Sequence, residues 1–135
     1  MKDQEFLAAV ESCAISCSDF HHADHVRLAW IYLSSHPLID AIDRFTRSLR
    51  RFAAHCGVPE KYHETITWAY MLLIHERMRR EDAPSGWESF RAANGDLFDW
   101  KPSILDRYYA RHTLRSEFAR RIFVLPDRGT SPLEL

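Results

Sequence analysis

The sequence predicts an all-α protein, a single-domain helical bundle of about five to seven helices, and two observations carry that expectation. Apolar residues recur with a helical period along most of the chain, and the four glycines and six prolines fall mostly where that period stops. No sheet is expected. A chain of 135 residues, 46% hydrophobic and 27% charged, has room for one buried core and little room for a second. Residues 1–125 are therefore expected to form the helical domain, with 126–135 a loose C-terminal tail that has little to bury.

The elements follow in order. Phe6, Val10, Cys13 and Cys17 give a first helix one apolar side, ending before Ser18-Asp19. A second opens near Phe20 to Ala23 and runs to about Ser35, because Pro37 pushes His36 out of the α region. The third opens near Asp40, buries Ile42, Phe45, Leu49, Phe52 and Cys56 on one face, and closes at Gly57. The fourth starts after Pro59 and runs to about Arg80. It is apolar nearly all round from Ile66 to Ile74, which predicts a central position. Ser85 with Glu88 reads as a capping box for a short helix through Trp87 and Phe90. Ser103 is expected to cap Ile104 to Tyr109, and Thr113 to cap Leu114 to about Arg121.

Charge and composition exclude several functions. A net charge of −1 gives no field that would draw the protein to nucleic acid or to anionic lipid. The run from Ile66 to Ile74 is interrupted by Thr67 and stops at His75, far short of the ~20 apolar residues that span a bilayer. The acidic, amphipathic N-terminus does not read as a signal peptide. The odd number of cysteines fits a reducing compartment, so a cytoplasmic protein is expected. Cys13, Cys17 and His21 have a helical spacing that would suit a soft metal, but the two thiols also continue the stripe of Phe6 and Val10. Buried structural thiols are the simpler reading.

Histidine is the compositional oddity, with eight in the chain. On a helical wheel His25 shares an arc with Leu28, Ala29 and Tyr32, so it points inward, flanked by His21 and His22. The pairs His21/His25 and His22/His25, at i, i+4 and i, i+3, can each present two imidazoles to one ion. A second cluster opens the fourth helix at Tyr62, His63, Glu64, Thr65 and Thr67. Glu64 heads a stripe continued by Trp68, Met71 and His75, so its carboxylate must meet a cation or a metal, or be held near neutrality. His63-Glu64-Thr65-Ile66-Thr67 is not a zincin motif, because Thr67 stands where the second histidine belongs.

Short turns between helices two, three and four would make two and four parallel and adjacent, with their N-terminal ends together. His21, His22 and His25 would then face His63 and Glu64, without any need for helix three to touch the site. His36 and His75 lie about 16 Å further along and belong elsewhere. The segment Phe20-His21-His22-Ala23-Asp24-His25-Val26-Arg27-Leu28-Ala29-Trp30, with Tyr62-His63-Glu64-Thr65-Ile66-Thr67, resembles a family of small bacterial proteins of unknown function over about Phe20 to Pro126. That family carries no activity to transfer. In architecture alone, imidazoles meeting in a small helical bundle resemble the DinB-like metal-dependent proteins.

The expectation is a small metal-dependent enzyme acting on a small molecule. His22, His25 and His63, with His21, would hold a divalent transition metal (Zn, Fe or Mn), with Glu64 as a further ligand or general base. Trp68, Tyr32 and Thr67 would line the substrate pocket. The alternative is a sensor, carrier or accessory subunit that binds a small molecule or ion in the same pocket without chemistry.

Overall fold

The computed structural model describes residues 1–83 and 85–128. It contains seven α-helices joined by turns of 3-10 helix, and no strand among the described residues. The all-α bundle expected from the sequence is the fold.

α1 (Asp3–Glu11) buries Phe6 and Val10 and is shorter than its apolar stripe suggests. It ends because Cys13 adopts a left-handed conformation at φ 58°, and a 3-10 turn at Cys17–Asp19 follows. α2 (His22–Ser35) starts where the Asp24 carboxylate accepts the His21 backbone N–H at 2.9 Å, a carboxylate favoured by the helix dipole, and it stops before Pro37. α3 (Leu38–His55) buries Ala41, Ile42, Phe45, Ser48 and Phe52, and Gly57 at φ 74° turns the chain away from it.

α4 (Glu64–Arg79) is the central element and packs against α2, α3 and the C-terminal α7 (Glu117–Arg121). Its buried residues include Thr65, Tyr70, Met71 and Ile74, which do not fall on one stripe. α5 (Trp87–Ala93) sets Trp87 against Trp30 of α2. The short α6 (Arg111–Leu114) leads into α7. Among the described residues, no helix is long and apolar enough to cross a membrane.

Several boundaries correct the sequence reading. Gly86, not Ser85, stands at the start of α5, and Ser85 Oγ hydrogen-bonds the Glu81 carboxylate instead of forming a box with Glu88. Ser116, not Thr113, caps α7 by accepting the Ala119 N–H. The Ser103 cap stands, accepting the Leu105 N–H at 3.1 Å, but over a 3-10 turn at Ile104–Arg107. The start of the expected loose tail is fastened. Asp127 hydrogen-bonds Thr113 and accepts the Ala110 N–H, while the backbone N–H groups of Asp127 and Arg128 donate to the Tyr108 carbonyl. Residues 129–135 lie outside the described residues.

The largest correction concerns cysteine. Cys17 and Cys56 form a disulfide, leaving Cys13 free. They are not independent buried thiols, and the inference of a reducing compartment from unpaired cysteines loses its premise.

Candidate functional site

The N-terminal ends of α2 and α4 meet at a cavity of about 440 Å³, a size that suits a small organic molecule. His22 and His25 line it from α2, and His63 and Thr67 from α4. Members of both clusters line it, but His21 and Glu64 do not. α3 is part of it as well, contributing Phe45, Leu49, Phe52 and Ala53, so the expectation that the third helix would stand apart is corrected. The apolar face of α3 was legible as core; that part of it borders a void depends on tertiary packing.

Backbone carbonyls fix the imidazoles. His22 Nε2 lies 2.8 Å from the Leu97 carbonyl oxygen, and His25 Nδ1 lies 3.0 Å from that of His21. A carbonyl only accepts, so each of those nitrogens carries the proton and donates it. Neutral His22 then keeps a lone pair on Nδ1, and neutral His25 one on Nε2. Neither lone pair has a partner among the described residues, and neither atom is sealed from solvent without one, a condition found there only for Arg27 Nε.

Burial enforces neutrality. Desolvation pushes the His25 imidazole down to about 4, against the opposing pull of the His21 carbonyl, and it lowers His22 and His63 in the same direction.

His63 differs. Its Nε2 donates to the Leu114 carbonyl at 2.7 Å, and its Nδ1 accepts the Ile66 N–H at 3.1 Å as the cap of α4. Both ring nitrogens are committed. His21 is an exposed residue at the start of α2, and its carbonyl rather than its ring serves the site. Glu64 does not line the cavity. Its Oε1 accepts the Tyr62 hydroxyl at 2.6 Å and lies 3.3 Å from Arg50 Nη2, so it has met the cation its position demanded. The expected metal cluster of His21, His22, His25 and His63 with Glu64 is thus not assembled. Among the described residues, no three His, Cys, Asp or Glu side chains are grouped to hold a metal ion.

Of the expected pocket residues, Thr67 is in place, its hydroxyl donating to the His63 carbonyl at 2.7 Å. Trp68 instead packs on Phe123 at 5.7 Å, and Tyr32 is 2% exposed and hydrogen-bonded to Glu11 and Ser48. Neither lines the cavity. His36 pairs with Asp40, outside the site as expected.

The sequence reading missed the aromatic walls. The Phe20 ring packs against those of His25 and Phe52, with centroids 4.4 and 5.0 Å away. His22 stands between Tyr70 at 5.0 Å and Trp100 at 4.9 Å. Phe20 adjoins the histidine run, which was a usable signal. Trp100, 52% exposed, lies in an irregular segment with no periodicity to reveal it. The disulfide between Cys17 and Cys56 completes one wall, and among the described residues Lys61 is the only charged one of the lining.

No family model, curated protein or solved structure matches this chain.

Proposed function

We propose that the protein binds a small organic molecule in this cavity, with His22 and His25 as its polar contacts. The observation that carries this reading is the pairing of an aromatic-walled space with two neutral imidazoles whose free lone pairs have no partner among the described residues. A mostly apolar cavity with a few fixed polar groups is the usual form of a small-molecule site. The cavity supports the ligand-binding alternative more directly than the metal-dependent enzyme.

Amide NMR spectra recorded against a mixture of small aromatic compounds test it. Shifts are expected to cluster at His22, His25, Tyr70 and Trp100. Ala53→Trp, which places an indole in the cavity, is expected to abolish them while preserving the helical circular dichroism signal. Shifts scattered over the surface, or unchanged in Ala53→Trp, would overturn the reading.

One observation favours metal as a second reading. A metal-ligating histidine normally donates its other ring N–H to a carbonyl or carboxylate, and His22 and His25 both do so. Two imidazoles would supply part of a coordination sphere for Zn, Fe or Mn, leaving positions for water or substrate. On this reading zinc binds with about one equivalent in calorimetry, His25→Ala abolishes binding, and His36→Ala does not.

A further inference from the structure

The polar atoms that the cavity offers are unequal in kind, and this bears on which molecules fit. Tyr62 and Tyr70 line the cavity, but the Tyr62 hydroxyl is given to Glu64, and that of Tyr70 is bonded to Ser103 Oγ at 2.8 Å. The Thr67 hydroxyl hydrogen is given to the His63 carbonyl, and both nitrogens of His63 are engaged. Among the described residues, the free groups at the start of α2 are the lone pairs of His22 Nδ1 and His25 Nε2, both acceptors, while the lining donors without a protein partner, the Trp100 indole N–H and the Lys61 ammonium, belong to residues exposed to water. Among the described residues, no carboxylate lines the space.

We propose that the cavity selects an aromatic molecule bearing a neutral hydroxyl or N–H donor, which it gives to His22 Nδ1 or His25 Nε2 while the ring lies among Phe20, Phe52, Tyr70 and Trp100. This inference rests on the ligand-binding reading above and narrows it to a chemical class. A ligand whose polar atoms only accept, set against the two imidazoles, would bring two acceptors together and leave both desolvated and unpaired, the more costly outcome in a largely apolar site. A ligand with a donor satisfies both partners. The discrimination arises from pairing rather than shape, because a site built to hydrogen-bond a donor rejects an analogue that lacks it. Lys61 supplies the opposing preference. An anion could pair with its ammonium group, but this residue is exposed and its attraction is screened by water.

Three naphthalenes of similar size decide the matter: 2-naphthol, 2-methoxynaphthalene and 2-naphthoate, each titrated into the oxidised wild-type protein at neutral pH and followed by amide NMR. The naphthol is expected to bind about tenfold more tightly than the methyl ether, with the carboxylate weaker still. His22→Phe and His25→Phe, tested singly, keep an aromatic ring at each position, and at least one should erase the advantage of the naphthol. Equal affinity for all three would leave the cavity a ligand site but overturn the class. Tightest binding of 2-naphthoate would overturn it in favour of Lys61. Binding of none of them would remove both the class and the reading beneath it. The comparison of the three ligands in wild type stands even if a histidine variant fails to fold.

Discussion

Replacing the water around the His25 imidazole with Phe20, helix backbone and core leaves a ring that is hard to charge. Its proton affinity is lowered to about 4, from an ordinary value near 6.5. Between those two values the unfolded chain binds the proton and the folded chain does not. The stabilisation is therefore complete above about pH 6.5 and is lost as the pH falls towards about 4. His22 and His63, lowered by the same desolvation, add to the loss in the same direction. Urea unfolding across this range should show stability falling by about 3 kcal/mol from His25 alone. His25→Gln, which carries no titrating ring, should show a visibly shallower fall. An unchanged slope in the variant would mean that His25 is well solvated.

At the scale of elements, the punctuation of the chain explains which parts of the fold could be read from it. α2, α3 and α4 were legible because Pro37, Gly57 and Pro59 mark their ends and a strong apolar period fills them. The end of α1 was not, since the left-handed turn falls on Cys13, a residue type that gives no warning of it. In the C-terminal region Thr113 and Ser116 compete as caps at nearly the same place, and the sequence does not choose between hydroxyls that both suit the role. The site divides in the same way. Spacing brought His22, His25 and His63 together, but it did not show which ring nitrogens the backbone would occupy.

The junction of α4 with the C-terminal segment rests on Thr65, which is fully buried. Its Oγ1 lies 2.7 Å from the Ala119 carbonyl and 2.8 Å from that of Ile122, and it accepts the Val124 N–H at 3.1 Å. Valine has nearly the same shape but leaves these backbone groups without their partner. Thr65→Val is thus expected to cost about 1–3 kcal/mol and to raise amide exchange at Val124 more than within α2. Equal exchange in the two regions would show that Thr65 does not fasten this segment.

For the molecule as a whole, the bond between Cys17 and Cys56 joins residues 39 apart. Closing a loop of that size restricts the unfolded chain and stabilises the fold by about 4 kcal/mol in the chain-entropy account. Thermal unfolding with a phosphine reductant should show a midpoint lower on the order of 10 °C. Cys17→Ser should reproduce the reduced value and should no longer respond to reductant. Because both cysteines also line the cavity, the same treatment would test how far ligand affinity depends on that wall.

The disulfide has a topological consequence too. The chain from Cys17 to Cys56 is a covalently closed ring that contains the whole of α2 and α3. Pro37 and Ile39, where these helices meet, are exposed and open to a protease. One cut at that point opens the ring without parting it: the two pieces stay fastened through sulfur, each carrying part of the cavity wall. The nicked protein would be heavier by one water and stay in one piece until a reductant separated it into two fragments.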